Sequence, residues 1–434
     1  MLKLYDVKTA QATILKRRGM QRDWPPQLLA ALAATFGEPL TPPEAVARIL
    51  DSVRAEGDAG MRRWSRLLDR AELDDFRVPP ERFAEALAAL PPSLAAALRT
   101  AAARIRAFHE KQPIPSWEAD GLGQRFTPIR RVGVYVPGGS APLPSSLLMS
   151  VIPAQVAGVR EIIVCTPPDP HPAILAAAAI CGVTQVYQVG GAQAIAALAF
   201  GAESVPAVDK IVGAGNLFVT LAKQQVFGIV GLDGLAGPTE TMVIADESAN
   251  PDWVAADLLA QAEHDRLATA ILLTPSRPLA EAVQAAVARR LETLSRAEII
   301  AASLENNGGI VLVPDLETAA RLADDYAAEH LCLAVADPRG LMAQINNAGG
   351  FFLGDHSFEV LGDYVAGPSH VMPTGGTARF ASPLNVLDFV KINSVVALDA
   401  ETARDLSAPA EEIARAETLT AHAAAAAARR EEAR

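Results

Sequence analysis

Four of the seven histidines in this 434-residue chain lie beside polar residues that suit a metal site or proton transfer. Gln261 and His264 are three residues apart in the segment LLAQAEHD, which ends an apolar helical run. Because residues i and i+3 share one face of a helix, this pair has the spacing of two metal ligands. A helix that simply ends in two polar residues has the same pattern, so the spacing alone leaves both interpretations open.

The other three histidines of this group follow carboxylates. They are His330, directly after Glu329 in DDYAAEHL, His370, seven residues after Asp363 in GDYVAGPSH, and His422, five residues after Glu417 in ETLTAH. Imidazole is a common zinc ligand and the usual general base near neutral pH. Each context also has an ordinary structural explanation, such as a helix cap, a turn aspartate or a solvated helix residue. The remaining histidines, expected at the surface, are His109, His171 and His356.

Three glycine-rich segments follow predicted strands, at residues 137–140 (PGGS), 190–193 (GGAQ) and 213–216 (GAGN). The third begins a G-x-G-x-x-G dinucleotide pattern, but Phe218 stands where the last glycine belongs, so the fingerprint is incomplete. Backbone N–H groups of such segments hold phosphates at helix N-termini, and the same segments also make tight turns. The residue types leave both alternatives open.

The charge balance narrows the class of partner. The chain has 38 basic and 50 acidic residues, a net charge of -12, and half of its residues are hydrophobic. A large core is therefore expected, and a nucleic acid or an anionic membrane is not, because both require a basic surface. An anionic cofactor stays compatible, since helix N-termini bind phosphate without net positive charge.

The cysteines and the N-terminus predict a cytoplasmic protein. Cys165, Cys181 and Cys332 form no C-x-x-C pair and are odd in number, which argues against a disulfide framework or a cysteine-based zinc site. The first residues, MLKLYDVKTAQ, lack the basic and apolar parts of a signal peptide. No uncharged apolar run reaches about 18 residues, so no spanning helix is predicted.

The elements that must position these residues follow an α/β pattern. Short apolar runs that end in glycine or proline alternate with helical stretches, which is typical of parallel sheets. These runs are residues 131–139, 161–170, 186–191, 209–216, 241–249, 269–276, 308–315, 331–338 and 350–356. The pattern predicts two sheets, one within about 133–239 and one within about 240–383.

The remaining segments complete the predicted domain organisation. Residues 1–25 are expected to be an exposed N-terminal arm, and residues 26–132, largely helical, to pack on the second sheet as one domain with residues 240–383. Residues 133–239 form the other α/β domain. The alternation stops near Asn385, and the alanine-rich sequence that follows predicts a helical tail over residues 384–434.

Taken together, these segments resemble the histidinol dehydrogenase family over nearly the whole chain. The resemblance is carried, in order, by RVGVYVPGGSAPLPSSLLMSVIPAQVAGV, VGGAQAIAALAFGAESVPAVDKIVGAGN, LAGPTETMVIAD, NPDWVAADLLAQAEHD, AAEHL, GDYVAGPSHVMPT and LTAH. It implies two incomplete Rossmann-like parallel-sheet domains in a homodimer, with one zinc ion per subunit. The implied reaction is the NAD-linked, four-electron oxidation of L-histidinol to L-histidine through L-histidinal, the last step of histidine biosynthesis.

The resemblance also implies roles for residues at matching positions. The zinc ligands would be Gln261, His264, Asp363 and His422, with His422 supplied by the neighbouring subunit. The acid/base pair would be Glu329 and His330. Substrate would be held by Thr239, His370 and Glu417 together with Glu329 and the four zinc ligands. NAD would be held by Tyr135, Gln193 and Asn216.

Departures from the family pattern are few. Thr239 stands where serine is usual, Ala214 where proline is usual and Ser369 where asparagine is common, which puts the tightness of substrate fit in doubt rather than the reaction type.

Two alternatives remain from the sequence. One is a paralogous zinc- and NAD-dependent dehydrogenase for another alcohol, such as a sulfonated diol. The carboxylate of Glu417 and the imidazole of His370 argue against it, because a carboxylate attracts a cationic amine and repels a sulfonate. The other is a metal-binding or scaffold protein without catalysis. The intact Glu329–His330 pair argues against that, since a pure binder needs no base.

Overall fold

The chain is represented by a computed structural model that describes residues 2–17, 24–138 and 142–431. Of the glycine-rich segment at 137–140, Gly139 and Ser140 lie outside the described residues, as do residues 1 and 18–23 of the predicted arm. The chain divides into two compact units. The larger comprises Met1–Gln112 and Ile129–Phe389, and the smaller comprises Pro113–Pro128 and Val390–Arg434.

Fourteen strands occur in the described residues. In chain order they are β1 (Leu4–Asp6), β2 (Trp117–Ala119), β3 (Leu122–Pro128), β4 (Arg131–Tyr135), β5 (Glu161–Thr166), β6 (Val186–Gln188), β7 (Lys210–Val212), β8 (Gly231–Leu232), β9 (Glu240–Ala245), β10 (Thr269–Thr274), β11 (Gly309–Leu312), β12 (His330–Ala334), β13 (Gly350–Leu353) and β14 (Val390–Val396). Each of the nine apolar runs of the sequence overlaps one of these strands.

The helices of the described residues alternate with these strands. In chain order they are α1 (Val7–Ala12), α2 (Pro26–Phe36), α3 (Pro42–Glu56), α4 (Asp58–Trp64), α5 (Glu81–Ala89), α6 (Pro92–His109), α7 (Pro144–Val156), α8 (Pro172–Cys181), α9 (Gly191–Phe200), α10 (Leu217–Val226), α11 (Pro251–Ala262), α12 (Arg277–Leu291), α13 (Ala297–Asn307), α14 (Leu316–Tyr326), α15 (Pro338–Met342), α16 (Glu359–Tyr364), α17 (Ala400–Ala416) and α18 (Thr420–Glu431). A π-helix continues α4 over Ser65–Asp69, and 3₁₀ turns cover Thr377–Arg379 and Val386–Phe389.

The first sheet has five parallel strands in the order β6-β5-β4-β7-β8. The chain builds outward from β4 in one direction and then crosses to β7 on the other side, so the strand order reverses between β4 and β7. Ligands of open α/β sheets bind at the carboxyl ends of the strands beside such a reversal. The strand order therefore predicts a ligand crevice at the carboxyl ends of β4 and β7.

The second sheet has six parallel strands in the order β1-β11-β10-β9-β12-β13. Its central strand β9 is buried along its whole length, as expected for a parallel strand covered on both faces. Helices α11, α12 and α13 cover one face, and α14 and α15 cover the other. The predicted α/β class with two parallel sheets is confirmed.

The prediction of an exposed N-terminal arm is wrong for residues 2–17. Strand β1 pairs in parallel with β11, with Leu4 opposite Ile310, and extends the second sheet by one strand. Leu2 is buried in the core of that sheet, and Ala10 of α1 is buried against its other face. Strands β6 and β7 are equally short but are followed by glycines, whereas no glycine or proline follows β1, so its three residues carry no local signal.

The early helices pack on the first sheet and not on the second, which corrects the sequence-based grouping of residues 26–132. Helix α3 packs on α9 and α10, α5 on α8, and α6 on α7 and α8. The apolar stripe of α3, with Val46, Ile49 and Val53, shares one buried cluster with Ile195 and Leu198 of α9. Amphipathic periodicity identifies a face to be buried, but both sheets offer apolar partners.

The C-terminal tail is helical only after its first segment. Strand β14 pairs antiparallel with β3, and β3 pairs antiparallel with β2, giving a three-stranded sheet in the smaller unit. Helices α17 and α18 follow it and pack on each other. The sequence analysis missed β14 because its partner β3 lies more than 260 residues earlier in the chain.

Two further observations concern the sequence-based expectations. His109 is fully buried rather than at the surface, with its Nδ1 atom 3.0 Å from Gln112 Oε1 and its ring edge-on to Phe108. Within the described ranges no single helix is long and apolar enough to cross a membrane. Helices α5 and α6 reach that length and hydropathy only jointly, and they are bent by 117° at their junction.

Candidate active site

The Glu329–His330 pair lies at the amino end of β12, between β9 and β13. Helix α14 ends at Tyr326, Ala327 adopts a left-handed conformation with φ of 52°, and the chain then enters the strand at His330. Glu329 and His330 are 7% and 2% exposed. Buried ionisable groups require hydrogen-bonding partners, so the neighbouring strand must supply them.

The partners of Glu329 come from the start of β9. Its Oε2 atom accepts hydrogen bonds from the Thr239 hydroxyl at 2.7 Å and from the Glu240 N–H at 3.0 Å. The Thr239 hydroxyl also lies 3.1 Å from Gln261 Oε1, and its single proton serves one of the two acceptors at a time. Both hydrogen bonds to the carboxylate end on Oε2, which leaves Oε1 available for another contact.

His330 bridges the main chain of β9 and a carboxylate on α16. Its Nδ1 atom lies 3.2 Å from the Glu240 carbonyl oxygen and 3.6 Å from Glu329 Oε2, and its Nε2 atom lies 3.4 Å from Asp363 Oδ1. Burial disfavours the imidazolium, but the Glu329 carboxylate, followed by Asp363, outweighs burial and raises the pKa of His330 well above its ordinary value.

Asp363 connects three of the predicted site residues. Its Oδ2 atom accepts a hydrogen bond from Gln261 Nε2 at 3.1 Å, and its main-chain oxygen lies 2.8 Å from His370 Nδ1. Burial raises the pKa of this carboxyl, but three neighbouring imidazoles outweigh it and hold the pKa below its ordinary value. They belong to His330, His370 and His264. Asp363 is therefore an anionic centre at this edge of the second sheet.

The predicted zinc ligands are brought together in part. Gln261 lies in the last turn of α11 and is buried, whereas His264 lies just beyond that helix and is exposed. The fourth predicted ligand, His422, is an exposed residue of α18 in the smaller unit, as is Glu417 at the end of α17. Within the described residues of one chain, no three histidine, cysteine, aspartate or glutamate side chains are grouped as a metal site.

The donor set nevertheless suits zinc. An amide oxygen, an aspartate oxygen and imidazole nitrogens, without thiolate, match a zinc site that leaves room for a substrate ligand. The three cysteines are buried and lie outside this group of donors.

The predicted NAD residues lie at the other sheet, around the point where its strand order reverses. Tyr135 ends β4, Asn216 directly precedes α10 after β7, and Gln193 lies in the first turn of α9. The Asn216 Oδ1 atom accepts from the N–H groups of Phe218 and Val219, at 3.0 and 3.2 Å. Two helix N-termini therefore open at this edge, which suits an anionic ligand.

Two of these residues are held firmly by their neighbours. The Gly191 N–H donates to the Tyr135 hydroxyl at 3.2 Å, and burial raises the pKa of Tyr135 to about 12, so it is a neutral phenol. Gln193 is fully buried and donates from Nε2 to Asp69 Oδ2 at 2.8 Å, while its Oε1 atom has no partner among the described residues. Asp69 was not identified from the sequence.

One hydrogen bond joins the two edges. His370 Nε2 lies 3.1 Å from the hydroxyl of Ser146, in the first turn of α7 after β4. The amino edge of the second sheet, with Asp363, therefore lies beside the carboxyl edge of the first. Burial lowers the pKa of His370 and favours its neutral form. The buried Glu329–His330 pair, the anionic Asp363 and the predicted NAD residues all belong to the larger unit.

Comparison with known proteins identifies the family of this chain. Residues 41–430 match the family model described as Histidinol dehydrogenase. This chain belongs to the histidinol dehydrogenase family. It is 52% identical over 421 residues to histidinol dehydrogenase from Deinococcus radiodurans, covering 95% of this chain and 96% of the relative. It is 53% identical over 384 residues to histidinol dehydrogenase from Thermus thermophilus, covering 88% and 92%.

A solved structure agrees with this assignment. The crystal structure of histidinol dehydrogenase from Elizabethkingia anophelis superposes with a TM-score of 0.89 at 33% identity, covering 99% of this chain and 98% of that chain. As a member of the histidinol dehydrogenase family, the protein is an oxidoreductase.

Of the three departures from the histidinol dehydrogenase pattern, Thr239 and Ser369 form hydrogen bonds through their hydroxyl groups. The Thr239 hydroxyl keeps its contacts with Glu329 and Gln261, so the added methyl group does not remove them. Ser369 is buried, donates to the Met149 carbonyl oxygen at 3.1 Å and accepts from the Val371 N–H at 3.2 Å. Ala214 is half-buried, and nothing in the structure explains the change from proline.

Sequence reasoning missed Arg17, which reaches from the N-terminal segment to the residues around Glu329 and His330. Its guanidinium donates to the main-chain oxygens of Tyr326 and Ala327, at 2.8 Å from Nε and 3.0 Å from Nη2, and forms an ion pair with Glu240. It also lies 3.6 Å above the Tyr326 ring. These residues flank Glu329 and His330, but no local pattern in the sequence connects them with position 17.

A second missed feature is a group of carboxyls behind the pair. Glu359 is fully buried, accepts from the Thr241 hydroxyl and the Cys332 thiol, and has one oxygen without a partner among the described residues. Its position four residues before Asp363 in α16 was a signal in the sequence. Burial raises the pKa of nearby Asp257 to about 7, and the charges of Glu359 and Asp355 add to this effect.

Asp257 generates a prediction about stability and pH. Because its folded-state pKa of about 7 lies above the ordinary value of 3.8, ionisation opposes folding increasingly between these two pH values. We expect Asp257→Asn to raise the unfolding temperature by several degrees at about pH 8 and to leave it unchanged at about pH 4. Thermal unfolding at both pH values measures this. The control is Asp252→Asn on the same helix, which removes a half-exposed carboxylate paired with Arg289 and Arg290 and is expected to give no gain at about pH 8. An equal gain at both pH values for Asp257→Asn would contradict the assignment.

Proposed function

We propose that this protein is a homodimeric enzyme that oxidises L-histidinol to L-histidine through L-histidinal, using one zinc ion per subunit and two NAD. The observation that carries the proposal is the buried Glu329–His330 pair, held by the main chain of β9 and directed at Asp363. Proton transfer during oxidation of an alcohol requires a base within hydrogen-bond reach of the substrate hydroxyl.

Zinc would be held by Gln261, His264 and Asp363, with His422 of the second subunit completing the set. When bound, the ion supplies an electrophilic anchor for the substrate's imidazole and amine, which fixes the reacting carbon beside the nicotinamide. The Gln261–Asp363 hydrogen bond supports this role, because it brings two oxygen-bearing side chains of different helices together. The exposed position of His422 on α18 supports its use by another chain.

His330 would accept the proton of the substrate alcohol. The Glu240 carbonyl oxygen can only accept, so it favours a proton on Nδ1 and leaves the lone pair of Nε2 facing Asp363. The charges of Glu329 and Asp363 both favour the imidazolium, and a zinc ion held by Asp363 would weaken the second of these effects. In its neutral form, His330 would accept the alcohol proton on Nε2 while hydride leaves the carbon.

Glu329 would activate water for the second oxidation. Its Oε2 atom is fixed by Thr239 and Glu240, so Oε1 is the atom left to accept a proton from water as the water adds to the aldehyde. The hydrated aldehyde has a carbon-bound hydrogen that can leave as the second hydride. NAD supplies the hydride acceptor in both oxidations.

NAD would bind at the crevice between β4 and β7. Tyr135 ends β4, Asn216 precedes α10 after β7 and Gln193 lies in the first turn of α9, so all three follow strands of this sheet at its carboxyl edge, which supports the proposal. The His370–Ser146 hydrogen bond brings this edge beside Asp363, which supports hydride transfer between the two sites.

The first experiment is to count NADH formed per histidine made from L-histidinol by the zinc-loaded protein. We expect a ratio near two, because the oxidation removes four electrons and each NAD accepts two. A ratio near one, or turnover of a sulfonated diol instead, supports the paralogous dehydrogenase. Zinc uptake without NAD reduction across a panel of amino alcohols supports a metal-binding protein without catalysis.

A second prediction concerns His330. His330→Asn keeps a polar side chain of similar size but cannot act as a base near neutral pH, so we expect turnover to fall by about 10²–10⁴-fold. The zinc content measured by metal analysis is expected to stay at one per subunit. His356→Asn is the matched control, because His356 is an exposed histidine outside the hydrogen-bonded site. Full turnover of the zinc-bound His330 variant would make the assignment wrong.

A third prediction tests the shared site by complementation between two inactive chains. His422→Ala removes the donated ligand, and His330→Asn removes the base of the recipient site. If sites are shared, each mixed dimer contains one intact site out of two. Random mixing makes about half of the dimers mixed, so about one quarter of wild-type activity is expected. Activity is measured after the two chains are unfolded and refolded together, with each chain refolded alone as control. No recovered activity would mean that His422 acts within its own chain.

A further inference from the structure

A buried ion pair lies beside the cofactor crevice, and none of the proposed catalytic steps uses it. The Lys223 ammonium of α10 lies 2.5 Å from Asp233 Oδ1, and the two side chains are 3% and 6% exposed. Removing two charges from water is costly, and a buried pair is often no more stabilising than apolar residues of the same volume. Stability alone therefore does not explain the Lys223–Asp233 ion pair.

Both charged groups bind the main chain of one residue, Gly213. The Gly213 N–H donates to Asp233 Oδ2 at 2.7 Å, and Lys223 Nζ donates to the Gly213 carbonyl oxygen at 2.9 Å. The Gly234 N–H completes the arrangement by donating to Asp233 Oδ1 at 2.8 Å. The peptide groups on both sides of Gly213 are therefore fixed by charged partners, which make stronger hydrogen bonds than neutral ones.

Gly213 lies directly against the end of β4. Its φ of 106° lies in a region that disfavours other residues, and a Cβ atom there would lie 2.2 Å from the Tyr135 carbonyl oxygen. Gly213 directly follows β7, Tyr135 ends β4, and Asn216 caps α10 three residues later. The position of Gly213 therefore sets the spacing between Tyr135 and Asn216.

We propose that the Lys223–Asp233 pair positions the NAD-binding residues by fixing the Gly213 peptide groups against the end of β4. This inference rests on the proposed use of Tyr135 and Asn216 for NAD. The pair does not contact the acid/base residues, so it acts on cofactor binding and not on the chemical steps. Charged side chains serve here because a single residue must be held at both its N–H and its carbonyl oxygen, which apolar side chains cannot do.

The test compares single and double variants of the pair. Lys223→Met or Asp233→Asn alone leaves a buried charge without its partner, and such proteins unfold more readily. The double variant Lys223→Met/Asp233→Asn carries no lone charge, so we expect its unfolding temperature to return close to that of the wild type. We expect its KM for NAD to stay raised by about tenfold, because the Gly213 carbonyl oxygen has lost its donor.

The kinetic readouts separate positioning from general damage. For the double variant we expect the KM for histidinol, and kcat at saturating NAD, to remain within about twofold of the wild type. Lys210→Met is the matched control. It breaks the Lys210–Asp388 ion pair, in which the Lys210 ammonium lies 3.2 Å from Asp388 Oδ1, at the opposite end of β7 from Gly213. Its KM for NAD is expected to be unchanged.

The outcomes are distinguishable. A double variant with the wild-type KM for NAD overturns the inference. A rise in the KM for NAD and in the KM for histidinol, together with a fall in the unfolding temperature, also overturns it, since that pattern reflects general destabilisation. A wild-type protein that reduces no NAD with histidinol overturns the proposed function itself, whatever the variants do. A raised KM for NAD in a stable double variant supports the inference.

Discussion

The pairing of β9 with β12 is the constraint on which the site depends. Glu240 offers its N–H to Glu329 and its carbonyl oxygen to His330, so two buried ionisable side chains are satisfied by one residue of the neighbouring strand. Such groups are tolerated in a core only when they are paired. A shift of one residue in the register would turn both side chains to the wrong face and leave them without partners.

The two sheets contribute to the site through opposite ends of their strands. The first sheet uses the carboxyl ends of β4 and β7, as open α/β sheets do for ligands. The second uses the amino ends of β9 and β12, where α11 ends close by and brings Gln261 to Asp363. The His370–Ser146 hydrogen bond lies where these edges meet, so the residues proposed for NAD binding and those proposed for proton transfer lie beside each other.

Sequence patterns predicted the parallel strands well, because short, largely buried strands that are followed by glycine or proline carry their signal locally. They failed for β1 and β14, whose partners lie far away in the chain. They also failed for the partner of α3, since an apolar stripe does not specify which sheet it covers.

The residues of the candidate site also divide into those with a local sequence signal and those whose contacts come from distant segments. Glu329, His330 and Asp363 stand in recognisable motifs, and the family resemblance identified them together. Glu359 shares a helix with Asp363 and carried a local signal that was not used. Asp69 and Arg17 reach the site from distant segments, and only the folded chain reveals their contacts with Gln193 and Glu240.

The docking of the N-terminal segment has a consequence for the order of folding during synthesis. Strand β1 is synthesised long before its partner strand, which begins at Gly309, and the carbonyl groups bound by Arg17 belong to residues 326 and 327. The segment must therefore stay unpaired until these later residues have been made. The Glu329–His330 pair gains the contacts of Arg17 only after its own strand has been synthesised.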